Sequence, residues 1–384
     1  MSASADLGGP LPASWRDRFR AWREGLTASP GFRRWAAAFP LTRPLARRRA
    51  RALFDLCAGF IYSQILLACV RLRLFELLRE GPQAESALAA RMDLPAEGAS
   101  RLLRAAAALE LVALRDDGRW ALGPLGAAMI DNPGIAAMVE HHALLYADLT
   151  DPVALLRRPR GGNALSGYWA YAGADTPGEL QRDRTADYTA LMAASQPMVA
   201  EEVIAAYDFR RHRCLLDVGG GSGAFLAAVA AAAPELRLML FDLPAVAQQG
   251  RERFARLRLD ARATAFGGDF ALDTLPQGAD LVSLVRVLHD HDDEGVMGLL
   301  RSVRAALPAG GRLLVAEPMA GTPGAEPAGD AYFGIYLLAM GRGRPRRAEE
   351  LQGMLRAAGF AQSRLLATRT PLLTRVLVAD VTPP

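Results

Sequence analysis

The chain contains 384 residues, of which 51% are apolar and 22% charged, a length and composition that predict two globular domains and exclude a disordered chain. All 45 basic residues are arginine, as in proteins from GC-rich genomes, so the high isoelectric point alone does not indicate nucleic-acid binding. Three cysteines, Cys57, Cys69 and Cys214, are too few and too widely spaced for a disulfide framework or a zinc site.

The basic charge is concentrated at the N-terminus. Residues 1–52 contain eleven arginines and three acidic residues, a balance of +8, whereas the rest of the chain contains 34 basic and 38 acidic residues. Trp15, Trp22 and Trp35 accompany these arginines. Such an extension suits the surface of an anionic membrane, and a solvated or helix-packed extension explains the pattern equally well.

Two features bear on targeting. No apolar segment follows the N-terminus, so a secretory signal is not expected. The most membrane-like run, Leu215–Pro234, includes Asp217 and four glycines, which indicates a strand, a loop and a helix instead of a bilayer span. The sequence therefore predicts a soluble or peripheral intracellular protein.

Residues 53–112 carry apolar side chains at helical spacing. Val112–Leu114 and Trp120–Leu122 then predict a short hairpin around an Asp-Asp-Gly turn. Helices followed by a hairpin are typical of a winged-helix module, which either binds DNA or packs and dimerises. The expected recognition helix, Ala99–Leu109, is too apolar to read a groove, so nucleic acid is not an expected partner.

Residues 130–200 are mostly helical by pattern and rich in rings. These rings form either a core or one wall of a pocket for a large apolar ligand, and the sequence does not choose between the two. The ring residues are His141, His142, Tyr146, Tyr168, Trp169, Tyr171 and Tyr188.

From residue 212, strand-like and helix-like segments alternate, which predicts βαβ units and a mainly parallel sheet. The expected strands are Cys214–Val218, Arg237–Leu243, Asp280–Leu288 and Arg312–Glu317, with a C-terminal hairpin over Leu365–Thr370 and Thr374–Asp380. The expected helices are Ala224–Ala233, Ala245–Arg256, Glu294–Leu307 and Ala348–Ala358. The expected division is a basic extension (1–52), a helical domain (53–200) and an α/β domain (201–384).

The segment LLDVGGGSGAF places a glycine loop between a strand and a helix, where the backbone can approach a ligand closely. Gly219-x-Gly221-x-x-Ala224 also satisfies the dinucleotide pattern, so the loop alone does not identify the cofactor. Asp242 ends the next strand and is placed for ribose hydroxyls; capping of the following helix is a compatible second role.

The segment VRVLHDHDDEG ends a buried strand in histidines and acids. Ligands of open α/β sheets bind beyond the carboxyl ends of the strands, so His289 should lie over the same crevice as the glycine loop. Asp269 can accept from an adenine amino group while Phe270 packs on the base. These features favour His289 as a catalytic residue. Adjacent positions at one strand end do not suit a metal cluster, so no metal is expected.

The series DVGGGSG, FDLP, GGDF, VLHD, AEP and LRAAGF occurs in this order, and with it the chain resembles the S-adenosylmethionine-dependent O-methyltransferases of the plant caffeate and hydroxyindole type. The resemblance covers residues 53–384. It implies an α/β, class I methyltransferase fold: a Rossmann-like, mainly parallel sheet with a C-terminal antiparallel hairpin, preceded by a helical winged-helix-type dimerisation domain. It also implies S-adenosylmethionine as cofactor and a homodimer formed through the N-terminal domain.

The cofactor-binding residues that the resemblance implies are Gly219 and Gly221 for the methionine part, Asp242 for the ribose, Asp269 and Phe270 for the adenine, and Arg286, which lies beside the position of a cofactor-contacting lysine in many members. Two departures accompany these matches. Val285 stands where many members have that lysine, and His291 stands where many have tryptophan.

The resemblance implies that His289 is the catalytic base and that Glu317 is one of two carboxylates flanking it. The late acid-Arg-Thr motif corresponds to Gly343-Arg344-Pro345, which lacks the second acid. His289 would take the proton of the acceptor hydroxyl during methyl transfer, and Glu317 would fix its tautomer. Candidate residues for the acceptor wall are Tyr188, Met192, Tyr332, Tyr336 and Met340, and the stretch Ile335–Met340 fits a plain core equally well.

The segment from Ser29 to Phe75 is similar to a narrower group, the hydroxycarotenoid O-methyltransferases of purple photosynthetic bacteria. This similarity implies an apolar acceptor, a tertiary hydroxyl of a long acyclic carotenoid of the demethylspheroidene or hydroxyneurosporene type. It implies a cytoplasmic protein, with peripheral contact to the inner or photosynthetic membrane as an open alternative. A phenolic, polyketide or tetrapyrrole acceptor remains open, as does, from another class, an NAD-dependent oxidoreductase.

Overall fold

The computed structural model describes residues 14–157, 162–169 and 182–382, and for residues 182–190 it describes the backbone only. The N-terminal part consists of three helices, α1 (Trp15–Ala28), α2 (Pro30–Ala38) and α3 (Arg43–Arg71). Helix α1 begins where Ser14 accepts the backbone N–H of Asp17, and α2 begins with a proline after Ser29. No residue of α1 or α2 is buried. We call α1 and α2 the arm.

A winged-helix module follows the arm, as the sequence predicts. It comprises α4 (Leu74–Arg79), α5 (Glu85–Arg91), α6 (Ala96–Ala108) and the antiparallel pair β1 (Val112–Leu114) and β2 (Trp120–Leu122). Ala99, Leu103 and Ala106 of α6 are buried in the core of this module together with Cys69 of α3. The apolar surface that the sequence shows on this helix therefore packs inward.

A helical layer connects this module to the α/β part. Its helices are α7 (Pro124–Ala127), α8 (Pro133–Asp148), α9 (Pro152–Arg157), α10 (Ala164–Tyr168) and α11 (Arg182–Ala206). Helix α8 packs against both α3 and α11 and thereby connects the two parts of the molecule.

The α/β part is built on a seven-stranded sheet. Its strands are β3 (Cys214–Val218), β4 (Arg237–Asp242), β5 (Ala263–Gly267), β6 (Leu281–Val285), β7 (Arg312–Glu317), β8 (Gln362–Leu366) and β9 (Arg375–Asp380), in the spatial order β5-β4-β3-β6-β7-β9-β8. Strands β3 to β7 are parallel, and β9 is antiparallel to both β7 and β8. The predicted fold class, a mainly parallel sheet with a C-terminal antiparallel hairpin, is confirmed.

Helices cover both faces of this sheet. They are α12 (Ala224–Ala232), α13 (Pro244–Arg256), α14 (Asp293–Ala306) and α16 (Ala348–Ala357), whereas α15 (Gly334–Met340) packs with α8, α9 and α10. Short helical turns lie at Phe209–Arg211 and Leu288–Asp290, and a π-helical segment lies at Pro327–Phe333. One core packs α14 and α16 on one face, and a second core packs α11, α12 and α13 on the other. The central strands β3, β6 and β7 carry almost only buried residues, as expected for parallel strands covered on both faces.

Two expected boundaries fall inside helices. Position 52/53 lies within α3 and position 200/201 lies within α11, so the chain is helical across both. The predicted strand Asp280–Leu288 is also too long. Strand β6 ends at Val285 because Arg286 adopts a left-handed backbone conformation (φ 60°), which turns the chain out of the sheet.

The sequence analysis singled out Leu215–Pro234 as the most membrane-like run, and it forms strand β3, a loop and helix α12, as predicted. Within the described residues, however, the helix that is long and apolar enough to cross a membrane, by length and composition only, is α3. A single such helix is weak evidence for a membrane span, because the core helix of a soluble protein passes the same test.

Candidate active site

The carboxyl ends of β3, β4, β6 and β7 meet at one edge of the sheet, where most of the predicted site residues lie. After β6 the chain passes through Arg286 into the single helical turn Leu288–Asp290, which we call the catalytic turn. His289 lies at its centre with 8% of its surface exposed, and its ring makes an edge contact with Phe333 at 5.7 Å between centroids. The predicted base is therefore buried at the end of a strand.

Glu317, the last residue of β7, holds the catalytic turn from the neighbouring strand. One carboxylate oxygen, Oε1, accepts the backbone N–H groups of Val287 (2.9 Å) and Leu288 (2.7 Å), and Oε2 is hydrogen-bonded to Nδ1 of His289. Since Nδ1 is engaged in this way, the carboxylate fixes the ring orientation and leaves Nε2 for chemistry. The structure thus brings His289 and Glu317 together as predicted.

A second carboxylate does lie beside His289, but it is Asp290, which the sequence analysis did not select for this role. Its Oδ1 lies 3.2 Å from Nε2 of His289. Burial lowers the pKa of His289, but the two carboxylates Asp290 and Glu317 outweigh burial, so the pKa lies above its ordinary value. An acidic residue directly after His289 in the sequence was the signal that could have identified Asp290.

In the segment Gly343-Arg344-Pro345, which the sequence analysis matched to the late motif, the arginine stays near the surface. The side chain of Arg344 is 40% exposed and pairs with Asp293 (3.1 Å) and Glu350 (3.0 Å). The arginine that enters the protein is Arg346, one residue beyond this segment, whose residue surface is 3% exposed.

The glycine loop lies between β3 and α12 and has the backbone geometry that its sequence predicts. Gly219 (φ 69°) and Gly221 (φ 59°) are both in the left-handed region. A Cβ at Gly219 would lie 2.9 Å from the side chain of Val287, so the loop closely approaches the segment that leads to the catalytic turn. A Cβ at Gly221 would meet no atom within 4 Å, so this residue faces open space.

Asp242, at the end of β4, accepts two backbone N–H groups, those of Gly221 (2.7 Å) and Leu243 (2.7 Å). The carboxylate therefore ties the glycine loop to the start of α13. Burial raises the pKa of Asp242 to about 6, partly opposed by these two donors. The N-cap of α13 is Leu243, without a side-chain cap bond, so the helix-capping role considered from the sequence is wrong. The ribose role stays a prediction, because each carboxylate oxygen can accept a further hydrogen bond.

Asp217, in β3, is a buried acid that the sequence analysis did not assign to the site. Its Oδ1 accepts the hydroxyl of Ser283 (2.5 Å), whereas the buried Oδ2 has no hydrogen-bond partner among the described residues. Burial raises the pKa of Asp217 to about 7. An acidic residue two positions before Gly219 was the sequence signal that could have identified Asp217.

Asp269 and Phe270 follow β5 at the same edge of the sheet and are half-buried. Asp269 accepts the backbone N–H of Ala271 (2.9 Å), and Phe270 makes an edge contact with His291 at 5.2 Å between centroids.

Arg286 points toward α11. Its guanidinium donates to the hydroxyl of Ser195 (2.8 Å).

The predicted acceptor wall lies in a cluster of rings between α8, α10 and α15. Tyr336 and Met340 are buried in it, and Met192 is half-buried with its sulfur 2.9 Å from Arg286. The Tyr336 hydroxyl contacts Nε2 of His141 (2.7 Å) and Nε1 of Trp169 (2.9 Å). The side chain of Tyr188 and all of Tyr171 lie outside the described residues.

Tyr332 forms a second pair with the same helix α8, because its hydroxyl lies 2.8 Å from Nε2 of His142. The rings of Tyr332 and Tyr336 stack at 5.8 Å. Burial lowers the pKa of His141 to about 4 and raises the pKa of Tyr336. These histidines are therefore neutral near pH 7, and the polar tips of the rings bond to one another.

Comparison with known proteins decides the family. Residues 146–361 match the model of the O-methyltransferase domain, and residues 54–132 match that of the O-methyltransferase dimerisation domain. The demethylspheroidene O-methyltransferase of Cereibacter sphaeroides is 44% identical over 92% of this chain and 93% of its own length. The chain belongs to the O-methyltransferase family.

Two further relatives agree with this assignment. The demethylspheroidene O-methyltransferase of Rhodobacter capsulatus is 44% identical over 89% of this chain and 84% of its own length. A solved structure of CalO1, a methyltransferase in calicheamicin biosynthesis in an SAH-bound form, has a TM-score of 0.70 and 28% identity, covering 88% of this chain and 98% of that one. The predicted family is confirmed, and the dimerisation domain supports homodimer formation.

The residues of this O-methyltransferase fit S-adenosylmethionine. Gly221 leaves open space beside the loop, and the buried Oδ2 of Asp217 is an acceptor without a donor among the described residues. A cationic ligand with amino and hydroxyl donors complements this set of buried carboxylates. No group of three or more metal-ligating side chains is found in the part of the chain that the structure describes.

Proposed function

We propose that this O-methyltransferase transfers a methyl group from S-adenosylmethionine to a hydroxyl of an acyclic hydroxycarotenoid of the demethylspheroidene type, giving a methoxy carotenoid. The observation that carries the proposal is the 44% identity to the demethylspheroidene O-methyltransferase of Cereibacter sphaeroides over 92% of the chain. Four more distant relatives, at 33% identity or less, carry phenazine, acetylserotonin, hydroxybenzoate and mitomycin in their names.

We assign the cofactor to the crevice beside the glycine loop. Gly219 and Gly221 bind the methionine part, Asp242 accepts from the ribose hydroxyls, and Asp269 and Phe270 bind the adenine. Arg286, which the sequence also assigned to the cofactor, reaches α11 in the described contacts and would connect the cofactor side of the site to Met192 on the acceptor side.

When bound, S-adenosylmethionine supplies a methyl carbon that is already electrophilic. The protein therefore has to orient the acceptor and receive its proton. His289 receives that proton at Nε2, and Glu317 supports the resulting imidazolium through Nδ1. Asp290 faces the same Nε2, so the acceptor hydroxyl has to displace or share this contact.

The ring cluster supports an apolar acceptor. Tyr332 and Tyr336 use their hydroxyls on His142, His141 and Trp169, so an acceptor placed against this cluster would meet ring surfaces and no unmatched hydroxyl of these two residues. Such surfaces pack well against a polyene chain and offer few hydrogen bonds to a polar acceptor. Tyr188, Met192 and Met340 complete the wall that we propose.

A labelled-methyl assay tests the acceptor. The enzyme is supplied with methyl-labelled S-adenosylmethionine and either hydroxycarotenoids in detergent or a panel of phenols, and we expect label in the carotenoids. Label in phenols only would contradict the proposal. Calorimetric titration with S-adenosylmethionine and with NAD tests the remaining class, since binding of NAD alone would indicate an oxidoreductase.

We further propose that the arm binds the surface of an anionic bilayer, where such an acceptor resides. Four of the exposed large apolar side chains in the described chain, Trp15, Phe19, Trp22 and Trp35, lie in the arm. In α1, the residues Trp15, Phe19 and Trp22 share one face, since they are spaced four and three apart.

The charge of the arm matches this partner. Six of the eleven arginines of residues 1–52 lie in the arm, against Asp17 and Glu24, and the other five lie in the first part of α3. Basic amphipathic helices with tryptophan lie in the headgroup region of anionic membranes, at about 1 kcal/mol per basic residue.

Vesicle sedimentation tests this surface. We expect the full chain to bind phosphatidylglycerol vesicles and a variant with Trp15, Trp22 and Trp35 changed to serine to bind at least about tenfold less tightly. A control variant with Leu125→Ser and Leu272→Ser, two exposed apolar residues elsewhere, should bind like the parent. Unchanged vesicle binding by the tryptophan variant, or a change in oligomeric state instead, would contradict the proposal.

A further inference from the structure

The catalytic turn has little to hold it together by itself. Two hydrogen bonds form within the turn, and both are long: Asp290 N–H donates to the Val287 carbonyl (3.2 Å), and His291 N–H donates to the Leu288 carbonyl (3.3 Å). A single turn with such bonds is not stable alone, because short helical segments gain too little to fix their backbone. The position of His289 must therefore be set by groups outside the turn.

Glu317 holds the N–H side of the turn and not its carbonyl side. It binds the N–H groups at the start of the turn and the ring of His289. The carbonyl groups of the turn point the other way, toward the segment that follows α15. This segment approaches closely: a Cβ on Gly343 (φ 76°) would lie 2.1 Å from the carbonyl oxygen of His289.

The carbonyl groups are bound by the segment 344–346. The backbone N–H of Arg344 donates to the His289 carbonyl (2.9 Å). The guanidinium of Arg346 donates through Nη1 to the Leu288 carbonyl (2.7 Å) and through Nη2 to the His291 carbonyl (2.7 Å). It is anchored by Asp293, whose Oδ1 accepts from Nε (2.9 Å) and Nη2 (2.7 Å). One planar group thus bridges both ends of the turn.

We propose that Arg346 is a positioning residue for the methyl transfer: it fixes the carbonyl side of the catalytic turn and thereby the place and tilt of His289. Its side chain is 1% exposed, and its fork of donors suits several acceptors at once. A lysine has a point charge and cannot make the same bonds. Arg356, whose side chain is exposed on α16, provides a matched comparison.

The inference rests on the proposed methyl transfer, and its test keeps the two apart. In the full-length enzyme, Arg346→Gln should lower kcat about 100-fold, as expected for a misplaced catalytic group, without changing S-adenosylmethionine affinity. The acid limb of the kcat–pH profile should also move down toward the ordinary pKa of histidine, because the loosened turn weakens the contacts with Glu317 and Asp290. Arg346→Lys should recover part of kcat, and Arg356→Gln should retain parental kcat.

Two results would overturn the inference: a folded Arg346→Gln enzyme with parental kcat and pH profile, or an equal loss in Arg356→Gln. Should Arg346→Gln not fold, Arg346→Lys decides in the same way, since parental kcat and pH profile in that variant overturn the role. A parent enzyme that transfers no methyl group to any acceptor would instead count against the proposed function.

Discussion

The catalytic turn and the arm use the same residue type in opposite ways. At the turn, Arg346 is buried, every polar neighbour is matched, and one arginine contacts three partners. In the arm, arginines and tryptophans are exposed, and no residue of α1 or α2 is buried. The difference indicates that residues of the same chain stabilise the catalytic turn, whereas the exposed side chains of the arm are available to a partner outside the chain.

This contrast predicts that substitutions at the turn alter chemistry and leave vesicle binding unchanged. The largest effect is expected for His289→Ala, which removes the proposed base. We expect kcat to fall by about 10²- to 10⁴-fold while S-adenosylmethionine binds as in the parent, measured by steady-state kinetics and calorimetry. Turnover near the parental value would exclude His289 as the base.

A smaller effect is expected at the cofactor crevice. Asp242→Ala removes the acceptor that joins the glycine loop to α13 and the proposed ribose contact. Hydrogen bonds to a charged group contribute about 1.5–3 kcal/mol, so the dissociation constant of S-adenosylmethionine should rise by about 10- to 100-fold. Calorimetric titration measures it, with Asp260→Ala on the exposed surface as control. An unchanged constant would contradict the ribose role.

The smallest effect concerns pH. The pKa of His289 is raised by Asp290 and Glu317 against the effect of burial, so the neutral base forms only above the ordinary histidine range. We therefore expect kcat to rise with pH through that raised pKa. Asp290→Asn should move this limb to lower pH, because it removes one carboxylate. A limb that stays in place would show that Asp290 does not act on His289.

The raised pKa of His289 also affects stability, but in the opposite sense: a rise in pH increases kcat and lowers the free energy of unfolding. Stabilisation from protonated His289 is fully present below the unfolded-state pKa of ~6.5 and is lost as pH rises through the folded value. Unfolding experiments at two pH values on either side of this range should show a smaller pH dependence for His289→Ala than for the parent. An identical dependence would contradict the raised pKa.

Much of the fold follows from sequence patterns, and the reasons are local. Buried parallel strands require unbroken apolar runs, so Cys214–Val218 and Arg312–Glu317 were predicted with their observed bounds. The glycine loop, Asp242 and His289 were predicted because each ends or follows a strand at the same edge of the sheet, whereas Glu317 was assigned through the family resemblance.

The remaining features depend on where the chain turns. Strand β6 ends early because Arg286 turns left-handed, which apolarity does not reveal. The sequence of the segment GRGRPRR does not show which arginine is buried. The backbone passes close to the catalytic turn at Gly343, and the structure buries Arg346 and leaves Arg344 partly exposed. Asp290 reaches Nε2 of its neighbour because the two share a single helical turn.

The most direct test of the contrast compares methyl transfer by the full chain and by a variant lacking residues 1–41. Each is assayed with a hydroxycarotenoid in detergent and with the same carotenoid in phosphatidylglycerol vesicles, and the rate of label incorporation is measured. We predict equal rates in detergent and a loss confined to vesicles for the shortened chain. Equal loss in both forms, or no label in the carotenoid from either chain, would contradict the account.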